Sequence, residues 1–174
     1  MKILVTGGVR SGKSRHAEQL LDNAAHVTYA APGRPADGSD PDWDARVAHH
    51  RSRRPAHWHT VETTDVAAAV RDARGAVLVD CLGTWLTAVL DERALWEADA
   101  GIASGEVEKG TAALCDALSG ARDVVVVTNE VGLGVVPSHR SGVLFRDLLG
   151  TVNQRVAAVC EDVHLVIAGR VLIL

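Results

Sequence analysis

The sequence predicts an α/β fold, an open and mostly parallel sheet flanked by helices, on three observations. Short β-branched runs alternate along the chain with longer amphipathic ones. Those runs are continuously apolar, as strands buried on both faces are, and do not alternate in polarity. The residues are 47% hydrophobic but only 3% aromatic, which calls for a core of Val, Leu, Ala and Ile, the composition of a parallel sheet under Ala/Leu-rich helices.

Element by element, KILVT (2–6) is the first strand and the amphipathic stretch 13–23 the first helix. HVTYAA (26–31) follows as a strand, then a polar loop at 32–41 with three of the five prolines, expected to be a lid or surface excursion. Helical periodicity returns at 42–52 and 65–73, AVLVD (76–80) is a strand, and 84–96 and 105–118 are helices. DVVVVT (123–128) and VHLVIAG (163–169) are strands around a helix at 142–161, and the final VLIL is a short edge strand. At 174 residues this is expected to be a single nucleotide-binding catalytic domain over 1–174.

Bulk properties exclude several classes. A net charge of −4 gives no general attraction to nucleic acid or anionic membrane. Cys81, Cys115 and Cys160 follow no disulfide or zinc spacing, no apolar run is long enough to span a membrane, and the expected location is cytoplasmic.

The chemistry starts at GGVRSGKS. Gly7, Gly12, Lys13 and Ser14 satisfy G-x-x-x-x-G-K-[ST] between a strand and a helix, the setting of a P-loop. Glycine lets successive N–H groups of Gly7, Gly8, Val9, Arg10, Ser11 and Gly12 turn toward an anion, and the helix N-terminus adds its partial charge. Lys13 reaches the terminal phosphates of ATP or GTP, and Ser14 holds Mg. Asp80, leaving a strand at its carboxyl end, is the expected second metal partner.

DPDWDARVAHHRSRRPAHWHTVET is the second informative stretch. On a helix from about Asp42, Trp43, Val47 and His50 share a face, Arg46 lies one turn before His50, and His49 points elsewhere. Arginines at 46, 51, 53 and 54 would favour a neutral, nucleophilic imidazole by like-charge repulsion. Three other readings stay open: a solvated helix face, a zinc site from His49, His50, His57 and His59, and a nucleic-acid patch at Arg51 to Arg54. In TNEVGLG, Asn129 and Glu130 end another strand, where a carboxylate could orient a metal or acceptor or simply cap its loop.

Together, ILVTGGVRSGKSRHAE, ARVAHHRSRRPAHWHTVE, LVDCLGTWL, VVVVTNEVGLGVVP and FRDLLGTVNQRVA resemble the bifunctional adenosylcobinamide kinase / adenosylcobinamide-phosphate guanylyltransferase family. The resemblance implies a RecA-like P-loop NTPase sheet, phosphorylation of adenosylcobinamide, and transfer of GMP from GTP through a GMP-histidine. On this sequence the catalytic residues would be His50, with His49 as fallback, and Lys13. Guanine nucleotide would be bound by Gly7 to Ser14, by Arg51, Ser52, Arg53 and Arg54, and by Glu62 and Asp80. A homo-oligomer, of the trimeric kind, is also implied by the resemblance. A monofunctional small-molecule kinase and a non-catalytic nucleotide-binding regulator are the competing functions.

Overall fold

The computed structural model describes residues 1–174. In order these form β1 (Lys2–Thr6), α1 (Lys13–Gln19), β2 (Val27–Ala31), α2 (Pro41–Arg53), β3 (His59–Glu62), α3 (Val66–Asp72) and β4 (Ala76–Asp80). There follow α4 (Leu82–Glu92), α5 (Ala100–Gly120), β5 (Val124–Val127), α6 (Arg140–Ala157), β6 (Asp162–Ile167) and β7 (Arg170–Ile173). The sheet has seven strands in the order β3-β2-β4-β5-β1-β6-β7. Every pairing is parallel except that of β6 with β7.

The Val-rich strands are apolar on both sides because each side meets a layer. Strands β4 and β5 are buried throughout except at Asp80. Helices α3 to α6 cover one face over a cluster of 27 buried residues, including Leu86, Leu114 and Leu149. The other face has only 13, among them Ala17 and Leu21 near α1 and Tyr29, Trp58 and Leu78. The thinner layer leaves room above the carboxyl ends of β1 and β4, where open parallel sheets collect ligands.

Three expectations shift. Strand β3 was not among the expected elements: HTVE is short, half-exposed and has no apolar run. The fourth helix runs 82–92, not 84–96, ending before Ala94, whose φ of 51° breaks the helical path. The fifth begins earlier, at Ala100, because the Asp99 carboxylate accepts the Gly101 N–H and starts it there.

Candidate functional site

The phosphate loop is built from backbone. Gly7 is irreplaceable because a Cβ there would strike the Val166 carbonyl oxygen, and Gly12 enters α1 at φ 98°, a left-handed conformation that other residues resist. No side chain caps α1, so the N–H groups of its first turn stay open to an anion. The loop is held on three sides: Ser11 N–H donates to Gly8 O at 3.3 Å, Glu130 N–H to Gly7 O at 3.1 Å, and Gly169 N–H to Ser11 O at 2.8 Å. Lys13, only 7% exposed, folds its ammonium onto Gly8 O at 3.1 Å. Burial pulls its pKa below the usual lysine value, against the attraction of Cys81 and Asp80.

A cavity of about 1040 Å³ lies over this loop. Its floor includes Gly12, Lys13 and Ser14, and its far wall is α2, through Asp42, Arg46, His49, His50 and Arg53. That juxtaposition is the central finding: a histidine and a phosphate loop separated by more than thirty residues border one space. A second, narrow cavity of about 70 Å³ opens behind His50, lined by Tyr29, Trp43, Arg54, Glu62, Asp80 and Thr84 among others. Arg46 and His50 border both.

Helix α2 starts where the sequence says it should. Asp40 caps it by accepting the Trp43 N–H at 3.0 Å, and Pro41 occupies the first turn, where its missing N–H costs nothing. Trp43 donates its indole N–H to Arg34 O at 2.9 Å and lies on Gly33, pinning the 32–41 segment to the helix. Trp43, Val47 and His50 do share a face, as expected, and turn it toward the narrow cavity.

The nearest charged partner of His50 is a carboxylate rather than the arginines expected from sequence: its Nδ1 lies 3.4 Å from Asp80 Oδ2. Burial pushes the Asp80 pKa up, but hydrogen bonding and the charge of His50, the Tyr29 hydroxyl and the Ser14 hydroxyl outweigh it and hold the group below the ordinary aspartate value. Asp80 therefore stays ionised close to Ser14, an all-oxygen pairing of the kind magnesium takes.

The arginines are mostly committed elsewhere. Arg51 pairs with Glu62, Arg53 with Glu18 at 2.8 Å, and Arg54 stacks over the Tyr29 ring at 3.6 Å. Ser52 turns its hydroxyl back onto His49 O. Of the residues assigned to nucleotide, Val9, Arg10, Ser11, Gly12, Lys13, Ser14 and Arg53 reach the loop cavity and Arg54, Glu62 and Asp80 line the narrow one, whereas Gly7, Gly8, Arg51 and Ser52 line neither. The Arg46 side chain, by contrast, makes no ion pair or hydrogen bond with any protein group and faces both cavities. Its spacing from His50 was legible; its freedom was not.

The remaining sequence candidates separate. His57 and His59 line a different groove from His49 and His50, and no cluster of three or more His, Cys, Asp or Glu side chains could hold a metal ion. Glu130 accepts the Gly132 N–H at 2.6 Å and so caps its own loop. No helix is long and apolar enough to cross a membrane.

Comparison with known proteins adds an independent line. The profile of the family described as "Cobinamide kinase / cobinamide phosphate guanyltransferase" matches residues 3–174. The chain is 40% identical to the "Bifunctional adenosylcobalamin biosynthesis protein CobU" of Salmonella typhimurium over 97% of each chain. It is 39% identical to the "Bifunctional adenosylcobalamin biosynthesis protein CobP" of Pseudomonas aeruginosa, over 97% of this chain and 94% of that one. Among solved structures, an ATPase from the type III secretion system of pathogenic bacteria shares the fold at TM-score 0.56 and 12% identity. That alignment takes in 94% of this chain, which spans half the length of the ATPase.

Proposed function

The chain belongs to the cobinamide kinase / cobinamide phosphate guanyltransferase family, and from its geometry we propose how one phosphate cradle serves two transfers. The protein is a bifunctional enzyme of adenosylcobalamin biosynthesis, a kinase and a guanylyltransferase. We assign the kinase step to phosphorylation of the adenosylcobinamide hydroxyl by ATP or GTP, and the second to transfer of GMP onto the resulting phosphate, giving adenosylcobinamide-GDP.

In our reading the triphosphate lies along Gly7 to Ser14, its charge met by backbone N–H groups and by Lys13. The Ser14 hydroxyl and Asp80 carboxylate would hold magnesium, which when bound spreads the negative charge of the phosphates. In the kinase step Lys13 follows the charge that develops as the γ-phosphoryl leaves. In the transferase step His50 Nε2 attacks the α-phosphorus, and the same loop holds the departing pyrophosphate. Arg46, unpaired between the two cavities, is placed to neutralise the α-phosphate.

The narrow cavity, at about 70 Å³, is far below the roughly 300 Å³ of ordinary ligand sites, so a nucleoside reaching Arg54 and Glu62 requires α2 to shift outward. The enzyme is read as cytoplasmic, supported by three free thiols, and as a homo-oligomer, a trimer by family resemblance. The exposed apolar residues Leu172, Ile173 and Leu174 along the β7 edge support self-association.

The observation that carries this reading is that His50 and Lys13 border one cavity. Its test is incubation with Mg-GTP followed by intact-mass measurement. One added GMP is expected on the wild type and on His49→Ala, and none on His50→Ala. Label retained by His50→Ala and lost from His49→Ala would move the nucleophile; no label on any protein would leave a simple kinase.

A further inference from the structure

We propose that Asp80, fixed in place by Tyr29, is the positioning carboxylate of His50, holding the ring so that Nε2 faces the α-phosphorus; this rests on the assignment of His50 as nucleophile. Tyr29 is the only tyrosine in the chain and is almost wholly buried, at 1% exposure. It sits on β2 in register with Leu78 of β4, so its ring lies beside that strand two residues before Asp80. Its hydroxyl donates to Asp80 Oδ2 at 2.8 Å, and that same oxygen stands 3.4 Å from His50 Nδ1.

The phenol has little freedom to leave. Arg54 lies over its ring at 3.6 Å, and the Trp58 ring is 6.4 Å away centroid to centroid. The carboxylate is 6% exposed, so water competes weakly for it. At 3.4 Å the contact to Nδ1 is longer than an ideal hydrogen bond, within the looseness that catalytic contacts show.

A carboxylate accepts only, so His50 must carry its proton on Nδ1, which leaves the lone pair on Nε2. That lone pair forms the N–P bond while the bond from the α-phosphorus to the bridging oxygen breaks and pyrophosphate leaves with the electrons. The ring becomes a positively charged N-phosphoryl imidazolium, its Nδ1 proton facing Asp80. When the acceptor phosphate attacks, the N–P electrons return to Nε2 and the charge disappears. The Nδ1 proton stays in place throughout. The kinase step never charges the ring, so the pair Tyr29 and Asp80 should matter more for guanylyl transfer than for phosphoryl transfer.

The test has two arms. In unmodified protein labelled with ¹⁵N-histidine, long-range ¹⁵N–¹H spectra at alkaline pH should show His50 as the Nδ1–H tautomer, assigned by loss of its signals in His50→Ala. An Nε2–H tautomer overturns the proposal. In rapid-quench experiments with α-labelled GTP, Tyr29→Phe should lower the ratio of guanylylation to phosphoryl-transfer rates about tenfold with half-saturating GTP little changed, and Asp80→Asn should lower that ratio about a hundredfold at saturating GTP and magnesium. A ratio unchanged in Tyr29→Phe, or a loss in Asp80→Asn reversed by excess magnesium, overturns it. Persistence of label in His50→Ala would instead sink the underlying assignment, whatever Tyr29→Phe does.

Discussion

The two halves of the site are built in opposite ways. The phosphate loop is part of the interior: it follows a central strand, buries Ser11 and Lys13, and is tied by main-chain bonds to the segments after β5 and β6. Helix α2, which carries His50, buries no residue at all and belongs to neither core cluster. It is held by one indole on Gly33 and by contacts to Asp80, Glu62, Glu18, Tyr29 and Thr60. Such partly exposed polar contacts are individually weak. A rigid cradle beside a lightly held histidine, the proposed nucleophile, suits an enzyme that must break two different bonds of a triphosphate: the tail stays, and the attacking group comes and goes.

The largest effect that could break this contrast is at its two chemical ends. Lys13→Ala should reduce both activities by roughly 10³-fold or more, whereas His50→Ala should abolish the GMP adduct and spare phosphoryl transfer, both read from product formation with labelled GTP. If His50→Ala abolished the two activities alike, the division of labour would be gone. Next, Arg46→Ala should slow guanylylation by about 10- to 100-fold, with smaller loss in the kinase rate.

Stability sharpens the comparison further. Leu149→Ala in the core should cost about 2 to 5 kcal/mol in denaturant melts. Trp43→Ala should cost only about 1 kcal/mol globally, while amide exchange in 41–53 speeds up and that in β1 does not. A large global loss from Trp43→Ala would mean α2 is an integral part of the fold.

The smallest effect concerns pH. His16, one turn into α1, shares a proton with buried His164 across 2.8 Å, and burial followed by the charge of His164 lowers its pKa. The unfolded chain then binds more protons than the folded one just below about pH 6.5. Stability should be full above that pH and decline as pH falls through the lowered value. His16→Gln should remove that part of the decline in thermal melts between pH 8 and pH 5.

How much of this was legible follows from where the information lies. The loop could be read because its motif specifies local backbone geometry, and Asp80 because the end of an apolar run marks the end of a strand. The face shared by Trp43, Val47 and His50 follows from helical spacing alone. Strand β3 was missed because its pairing with β2, and not its own pattern, makes it a strand. The role of Tyr29 is not legible for a related reason: its link to Asp80 exists only because β2 lies next to β4, a fact of strand order. The partners of Arg51 and Arg53 are likewise 11 and 35 residues distant, beyond any local rule.

The bond from Gly169 N–H to Ser11 O has a consequence for synthesis. The loop precedes by more than a hundred residues both strands that flank β1, namely β5 and β6, and the turn that grips Ser11. During synthesis the nucleotide signature therefore exists without a formed pocket until β5, β6 and that turn have followed it, and the proposed cradle is completed only when they pair with β1.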